Sequence, residues 1–529
     1  MPRSARTRAA WLTAIALLAA GLFTAYLFQS RTQAVNSDGA SNALQAWDML
    51  HGNVLLRGWT VSDVSFYTTE LPQYAFVEAV RGLGSDVVHV SAAMTYTLLV
   101  LLAAWLAKGR ATGREGLLRA LLAGGIMLAP SLGSATYTLL LSPDHTGTAV
   151  PLLVTWLIID RGEGVTRRRW LVPAAVCLLL AWTAVADPLA EVIGAAPLAA
   201  VCGVRACLKL VRRREPFRSV RYELSLAAAA ALSVGIAYGA VKAVAAAGGW
   251  TATPVRAGLV AGSTLGGNAQ LMGRGVLELL GADWLDAQSD LAVYFAAVHL
   301  AGAVLVACGF LLTVRRFFRG DLLSQVLLVA IVANLAAYTF GVAVRDLHST
   351  REIAAVLPFA AVLAGRRLAA PLLARRPASA LAGAAPLTGA VLLAGYAAML
   401  GFGASQASVP ADNADLTTWL SAHGLSHGLA GYWQANSVTL DSGNSIQVRA
   451  VAINGGTLMS EAYWEAKKDW YEPSVSYANF LVTIDSPPGQ SDTALRSHLT
   501  ALAGRPAHVY EFGRYTIAVW DRNLLTALG

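Results

Sequence analysis

Long apolar runs recur along almost the whole of this 529-residue chain, and they constrain its fold more than any other feature. The first run, AAWLTAIALLAAGLFTAYLF, occupies residues 9–28 without a single charged residue. A helix needs about 20 such residues to cross the roughly 30 Å hydrocarbon core of a bilayer. Charged residues make up only 14% of the chain, against about 25% in soluble domains. The sequence therefore predicts a polytopic α-helical membrane protein.

The apolar runs predict about eleven transmembrane helices, separated by short polar loops. The fourth is short, and if it did not cross the membrane every later loop would change sides. The length of the first run, and the lack of an A-x-A cleavage site after it, favour a membrane helix over a cleaved signal peptide. The predicted spans are 9–29, 87–107, 117–141, 147–160, 170–187, 190–208, 224–246, 291–314, 322–343, 352–370 and 380–405.

The charges of the loops predict the orientation. Loops on one side are basic, such as KGRATGREG, RGEGVTRRR and KLVRRREPFRSVRYE, whereas loops on the other side are acidic or mixed. Basic loops mark the cytoplasmic side, so we expect a multi-pass protein of the plasma membrane with a cytoplasmic N-terminus. The net charge of +8 follows from this asymmetry. The distribution of the charges therefore predicts contact with the lipid bilayer and no nucleic-acid partner.

The composition divides the chain into two predicted domains. Residues 1–405 form the multi-pass domain, whose outer loops 30–86 and 247–290 are too long to be simple connectors. The first loop is rich in aromatic residues, which indicates short amphipathic helices along the membrane interface. Residues 406–529 predict a small extracytoplasmic α+β domain, in which HGLAGYWQANSVTLDSGNSIQVRAVAI suggests two or three strands. YANFLVTID predicts a strand, SDTALRSHLTALAG a helix and HVYEFGRYTIAVWD a hairpin.

Carboxylates in the first outer loop are candidate proton acceptors. Asp38 follows the first apolar run closely, and Asp48 lies ten residues later on a helical pattern. A carboxylate at this depth can deprotonate an acceptor hydroxyl beneath the outer leaflet. The alternatives are a helix N-cap or a solvated loop charge for Asp38 and a solvated helix face for Asp48. Glu70, before LPQY, is a further candidate for substrate binding, with a surface charge as the alternative.

Two later outer turns carry candidate binding residues. Asp144 and His145 are the charged or ionisable residues of LLLSPDHTGTAV, where a tight turn alone would also favour Asp. Arg345, His348 and Arg351 fall in VRDLHSTRE, and arginine here departs from the charge asymmetry. A guanidinium at headgroup depth suits a lipid-linked phosphate, and a salt bridge to a neighbouring carboxylate is the alternative. One turn supplies too few ligands for a metal, so no cofactor is predicted, although a divalent cation stays open.

Four segments together resemble the type-C glycosyltransferase superfamily, and within it bacterial family-39-like membrane proteins. They are NSDGASNALQAWDMLHGN, SPDHTGT, STREIAAVLPFAAVLAGR and GLAGYWQANSVTLDSG. The resemblance implies sugar transfer from a polyprenyl-phosphate donor to an envelope glycan, lipid or protein. It implies Asp38 as base or acceptor-orienting group and Arg351 with Arg345 as donor-binding residues. Many members have an acidic pair where this chain has SDG, which leaves Asp38 and Asp48 both open.

The implied reaction is a single displacement at the anomeric carbon, with the lipid phosphate as leaving group. Such a reaction needs no nucleotide-binding loop, and the sequence contains no P-loop. The segments AGYWQAN and GTLMSEAYWEAKKDWYEP suit sugar binding by aromatic stacking, with an aromatic core as the alternative. Two other functions stay open, a transporter and a non-catalytic scaffold. The transporter is disfavoured because polar residues gather at one membrane face rather than at mid-bilayer.

Overall fold

The structure, a computed structural model, describes residues 3–162, 170–254, 258–287, 289–374, 380–454, 457–460, 464–484 and 491–528. The chain forms two compact units, and each is assembled from three separate segments. Unit 1 comprises Met1–Thr32, Ala92–Gly239 and Arg256–Ser408. Unit 2 comprises Gln33–Ser91, Ala240–Val255 and Val409–Gly529.

Eighteen α-helices occur in the described part of the chain, and short 3₁₀ or π segments extend or connect several of them. The helices are α1 (Arg3–Ser30), α2 (Ser37–Leu50), α3 (Glu70–Arg81), α4 (Asp86–Lys108), α5 (Gly113–Ile126), α6 (Ser134–Thr136), α7 (Ala149–Gly162), α8 (Leu171–Ala186), α9 (Ala196–Cys207), α10 (Arg221–Ala246), α11 (Gly262–Leu279), α12 (Asp290–Arg315), α13 (Leu322–Phe340), α14 (Val356–Ala374), α15 (Ala380–Ala404), α16 (Ala414–Ala422), α17 (Tyr432–Asp441) and α18 (Ser491–Ala503).

Seven helices of the described residues are long and apolar enough to cross a membrane, so the predicted count of eleven is not confirmed. The other four predicted spans correspond to shorter helices: α5, α7, α8 and the apolar part Gly389–Ala404 of α15. The seven are Ala9–Ser30, Asp86–Lys108, Glu191–Arg212, Phe217–Ala246, Asp290–Arg315, Leu322–Phe340 and Val356–Ala374.

A break interrupts the third predicted span, 117–141. Helix α5 ends at Ile126, and a helix resumes only at Ser134, because Pro130 has no N–H to donate and Gly133 adopts a positive φ of 86°. Carbonyl groups in such a break need donors, since hydrocarbon supplies none. Side chains of α1 and α4 supply them: Tyr26 donates to the Leu128 carbonyl at 2.8 Å, Tyr96 to Met127 at 2.8 Å and Gln29 to Pro130 at 2.6 Å.

Unit 2 contains two β-sheets. The smaller has the order β2 (Thr251–Ala252), β1 (Trp59–Val61) and β6 (Ala466–Lys467), and it takes one strand from each of the three segments of the unit. The larger has the order β5-β4-β3-β7-β9-β8, with β3, β4 and β7 parallel and the remaining pairs antiparallel. Its strands are β3 (His427–Ala430), β4 (Gln447–Asn454), β5 (Thr457–Ser460), β7 (Phe480–Ile484), β8 (His508–Phe512) and β9 (Tyr515–Val519).

The predictions for this part of the chain are confirmed in all but one stretch. The strand at β7, the helix at α18 and the hairpin β8–β9, which turns through Gly513 at a φ of 57°, are present. Of the two or three strands predicted in HGLAGYWQANSVTLDSGNSIQVRAVAI, β3 and β4 are present, but Tyr432–Asp441 between them is a helix rather than a strand. This helix buries Ala435 and Val438 in the core between it and the sheet, which outweighs the strand propensity of SVTL.

Candidate active site

Asp38 is the most accessible side chain at the beginning of α2. Residues 35–46, all of them described, are buried except Asp38, which keeps partial exposure. It does not cap the helix, because the Asn36 side chain accepts the hydrogen bond from the Gly39 amide at 3.1 Å. The carboxylate of Asp38 is therefore available for a role other than capping.

A phenol from the C-terminal segment of unit 2 holds this carboxylate. Tyr432, the first residue of α17, donates through its hydroxyl to Asp38 Oδ1 at 2.8 Å. The same hydroxyl contacts Glu465 Oε2, and Glu465 is buried. Burial, and then the charges of Glu465 and Asp38, raise the pKa of Tyr432 well above its ordinary value. The phenol therefore keeps its proton at physiological pH and acts as a hydrogen-bond donor.

Glu465 supplies a second carboxylate beside Asp38, where the sequence itself has SDG rather than an acidic pair. Asp38 and Glu465 are far apart in sequence, yet both contact the hydroxyl of Tyr432. The phenol has one proton and can donate it to only one carboxylate at a time. The Tyr432 hydroxyl thus orients Asp38, and it can donate its proton either to Asp38 or to Glu465.

Asp48, the other candidate proton acceptor, sits among donors of unit 2. Its Oδ2 accepts from Asn53 Nδ2 and from the Trp59 indole, both at 2.7 Å, and lies 3.3 Å from Lys467 Nζ. These contacts link the end of α2 to strands β1 and β6. Asp48 is thus engaged by three donors, which suits a structural carboxylate better than one that must accept a proton.

Helix α3 presents three polar side chains on one buried face. Glu70, Tyr74 and Glu78 are spaced four residues apart, and all are buried. Glu70, a candidate from the sequence, accepts from the Thr69 hydroxyl. Glu78 is only 2% exposed, and neither of its carboxyl oxygens has a hydrogen-bond partner among the described residues. Burial raises the pKa of Glu78 to about 9.

Replacing Glu78 with Gln is expected to stabilise the protein more at pH 8 than at pH 5. A carboxyl whose pKa is raised in the folded state favours unfolding as the pH rises above its unfolded value of about 4.5, because only the unfolded chain ionises readily. Glutamine cannot ionise, so the gain should reach about 1–3 kcal/mol at pH 8. Thermal unfolding of both proteins across this pH range measures it. Glu511→Gln, at an exposed position, is the control and should change little; a gain independent of pH would contradict the prediction.

In unit 1, His145 lies between two carboxylates. Its Nδ1 is 3.0 Å from Asp187 Oδ2, and its Nε2 is 3.4 Å from Glu352 Oε1. Thr148 also donates to Asp187 Oδ2 at 2.6 Å. Burial alone would lower the pKa of His145, but Glu352 and Asp187 outweigh it and hold the pKa well above its usual value. The two carboxylates therefore favour the protonated, imidazolium form of His145.

The contact between His145 and Glu352 raises the pKa of the histidine but lowers that of the glutamate. Burial would raise its pKa, but His145 overrides this effect, with help from Arg351, and the pKa falls below its ordinary value. Asp144, next in sequence to His145, is also buried and accepts from the Ser142 hydroxyl at 2.6 Å. The predicted turn Asp144–His145 is thus part of a buried cluster of charged side chains. Asp187 completes this cluster, although it was not among the predicted site residues.

The cationic turn of unit 1 precedes α14, in the 3₁₀ helix Leu347–Ile353 and the residues before it. Arg345 and His348 are exposed, and Arg351 is partly exposed. The ring of His348 lies 4.9 Å from that of Tyr137. Arg345 and Arg351 place two guanidinium groups within seven residues, next to the carboxylates of Asp346 and Glu352, and a guanidinium suits a phosphate group.

The predicted site residues are divided between the two units. Asp38, Asp48 and Glu70 belong to unit 2, whereas Asp144, His145, Arg345, His348 and Arg351 belong to unit 1. Within unit 2, Tyr432 and Glu465 join Asp38. Within unit 1, Asp187 and Glu352 join His145. Across the described ranges, no group of three or more His, Cys, Asp or Glu side chains has the arrangement needed to hold a metal ion.

Comparisons with known proteins agree at the level of the fold. No protein-family model and no curated protein sequence matches the chain. Among solved structures, ArnT from Cupriavidus metallidurans is 14% identical in its apo state, over 99% of both chains with a TM-score of 0.55. Its complex with undecaprenyl phosphate is 13% identical over 98% of this chain and 99% of that chain, with a TM-score of 0.57.

An archaeal protein extends the comparison. The oligosaccharyltransferase AglB from Archaeoglobus fulgidus, in complex with an inhibitory peptide and a dolichol-phosphate, is 12% identical with a TM-score of 0.50. The match covers 90% of this chain and 69% of AglB. At such low identity the likeness concerns the course of the chain, which is shared over nearly its full length.

Proposed function

We propose that this chain, which has the type-C glycosyltransferase fold, transfers a sugar from a polyprenyl-phosphate donor to an envelope acceptor at the outer face of the plasma membrane. One structural neighbour is bound to undecaprenyl phosphate and another to a dolichol-phosphate, and both carriers are polyprenyl phosphates. The acceptor is an envelope glycan, lipid or protein. In this proposal the N-terminus is cytoplasmic, and residues 406–529 lie outside.

The observation that carries the proposal is the state of Asp38. It is the one partly exposed side chain in an otherwise buried stretch, and the Tyr432 hydroxyl orients it. In the reaction, Asp38 takes the proton of the acceptor hydroxyl as the acceptor oxygen bonds to the anomeric carbon. The bond from that carbon to the phosphate oxygen breaks, and the lipid phosphate leaves with the electron pair.

The phosphate-binding role falls to the cationic turn of unit 1. Arg351 is proposed to contact the lipid phosphate, with Arg345 and His348 as further donors on the same turn. A fixed guanidinium stabilises the negative charge that grows on the leaving phosphate in the transition state. His145, with Asp144 beside it, is proposed to hold the neighbouring turn in place, because Glu352 follows Arg351 directly and is tied to the imidazolium.

Replacing Arg351 with Ala is expected to weaken the binding of undecaprenyl phosphate by roughly 10- to 100-fold, the loss typical of a charge-assisted hydrogen bond. The loss should be larger at low salt, because ions screen an accessible charge pair. Titration of the lipid into purified protein at two ionic strengths measures both effects. Arg505→Ala changes an exposed arginine of unit 2 and should bind normally; an equal loss in the two variants would argue against a phosphate contact.

The proposed function is tested by supplying radiolabelled polyprenyl-phosphate sugar and an envelope extract to the purified protein. Label in a glycan, lipid or protein product supports the transferase. Movement of the labelled lipid across proteoliposomes without a product would instead favour a transporter. Binding of the extract with neither product nor movement would favour a scaffold, and both of these results contradict the proposal.

A further inference from the structure

A polar cavity lies in the C-terminal segment of unit 2, at the beginning of strands β3 and β4. Its volume is about 360 Å³. Among the described residues, no acidic side chain lines it. Its lining includes His427, Gln447, Arg449, Trp470, Tyr477 and Asn523.

The guanidinium of Arg449 is the unusual component of this cavity. It is only 7% exposed, and no carboxylate of the described residues lies within ion-pair distance. Nη2 donates to Gln447 Oε1 at 2.9 Å, and the guanidinium carbon lies 3.9 Å from the centre of the Trp470 ring. Nη1 is buried without a hydrogen-bond partner in the described structure.

A buried cation without a counter-ion is costly. Removing a guanidinium from water costs several kcal/mol unless a negative group or a set of acceptors replaces the lost hydration. Burial lowers the pKa of Arg449 to about 10, with Tyr471 opposing the shift, so the side chain is still a cation at neutral pH. The Trp470 face and one amide oxygen compensate only part of this cost. The Arg449 side chain lines the cavity, so an oxyanion that enters there would supply the missing negative charge.

The other lining groups suit a sugar better than a bare ion. Tyr477 is 47% exposed, and its ring lies 6.4 Å from that of His427. An exposed aromatic ring packs against the C–H face of a pyranose. Burial, followed by the charge of Arg449, lowers the pKa of His427 and so favours the neutral imidazole. Nδ1 lies 2.8 Å from Ser426 Oγ, which leaves Nε2 for a sugar hydroxyl. Gln447 adds an amide nitrogen that suits a hydroxyl, whereas the amide of Asn523 is engaged by Ala478, Leu525 and Ser476 and shapes the wall of the cavity.

We propose that this cavity binds an acidic saccharide, with the carboxylate or phosphate of the sugar facing the Arg449 guanidinium and the sugar ring against Tyr477. A uronic acid and a phosphosugar offer the same oxyanion chemistry at this position. The site would anchor acidic envelope glycan to the C-terminal part of unit 2. It does not depend on the transfer reaction, because none of its residues has a role in the proposed chemistry.

Isothermal titration calorimetry on the full-length protein in detergent tests the proposal with four probes: trigalacturonate, glucose 6-phosphate, maltotriose and inorganic phosphate. Either acidic sugar should bind at least tenfold more tightly than maltotriose and than inorganic phosphate. Preference for trigalacturonate identifies a uronic acid, and preference for glucose 6-phosphate identifies a phosphosugar. Equal binding of inorganic phosphate would reduce the site to an anion site and overturn the saccharide assignment. Failure of both acidic sugars to bind would overturn the whole proposal.

Variants assign the binding to the cavity. Arg449→Met keeps the length of the side chain but removes the charge, and it should lower the affinity for the acidic sugar by about tenfold or more. Arg505→Met, at an exposed position, should bind as the unmodified protein does. Because Arg449→Met removes an uncompensated buried charge, its melting temperature without ligand should not fall. Tyr477→Ala, at an exposed ring, should weaken the binding of the sugars but not that of phosphate. Unchanged affinity in Arg449→Met contradicts the proposal.

Discussion

Replacing Asp38 with Asn is expected to lower the rate of sugar transfer by about 10²- to 10⁴-fold, the usual contribution of a positioned general base. Asparagine has nearly the same shape and still accepts a hydrogen bond from the Tyr432 hydroxyl, so the local structure should persist. It cannot take the proton of the acceptor hydroxyl. Initial rates with radiolabelled polyprenyl-phosphate sugar measure the loss, and binding of the lipid phosphate should stay unchanged.

Two further variants make this test specific. Asp48→Asn disturbs a carboxylate that is held by Asn53, Trp59 and Lys467, so it should lower stability and leave the rate per folded molecule nearly intact. Tyr432→Phe removes the orienting hydroxyl and should cause a smaller loss of rate than Asp38→Asn. Full activity in Asp38→Asn would remove the proton-acceptor assignment. A loss confined to Asp48→Asn would transfer that assignment to Asp48.

Replacing His145 with Asn is expected to destabilise unit 1 by about 3–5 kcal/mol, the cost of removing one partner from a buried ion pair. The variant leaves Asp187 and Glu352 without the imidazolium between them. Asparagine tolerates the positive φ of 57° at this position, so backbone strain should not add to the effect. Thermal unfolding in detergent measures the change. Arg81→Gln, which breaks an exposed ion pair to Asp86, is the control and should shift the melting temperature little.

The effect should depend on pH in a defined direction. The pKa of His145 is raised in the folded protein, so its contribution is complete below the unfolded value of about 6.5 and is lost as the pH rises through the folded value. The pKa of Glu352 is lowered, so its contribution is present above about 4.5 and is lost as the pH falls through its folded value. The difference between the two proteins should therefore be greatest between about pH 5 and 7 and should shrink in alkaline buffer. A difference that grows with pH would exclude this charge arrangement.

Hydropathy predicted the long spans because a continuous apolar helix is a local property. Ala9–Ser30, Asp86–Lys108 and Asp290–Arg315 begin and end within a few residues of the predicted limits. The prediction of one continuous helix over 117–141 was wrong. Hydropathy is an average over side chains, and it does not register the effects of Pro130 and Gly133 on the backbone. The carbonyls released there are satisfied by Tyr26, Tyr96 and Gln29, which come from elsewhere in the chain. A local sequence pattern cannot identify hydrogen-bond donors that come from distant parts of the chain.

The same limit applies to the site residues. The sequence indicated single residues from their neighbours in the chain, but not the contacts between residues far apart in the chain. The sequence selected Asp38 from its position after the first span, and it selected His145 from the polarity of a short turn. It also marked AGYWQAN and GTLMSEAYWEAKKDWYEP as aromatic segments, and these contain Tyr432 and Glu465. It did not connect either one to Asp38, because 394 residues separate Tyr432 from Asp38 and only the folded chain brings their side chains together.

The three-stranded sheet of unit 2 has a consequence for the order of synthesis. Its central strand β1 is translated early, whereas β6 follows more than 400 residues later. A ribosome that stalls before residue 432 releases a polypeptide in which Asp38 has no phenol to orient it and β1 has only one neighbour. We expect such products to lack the hydrogen bond that orients Asp38 and to leave one edge of β1 unpaired.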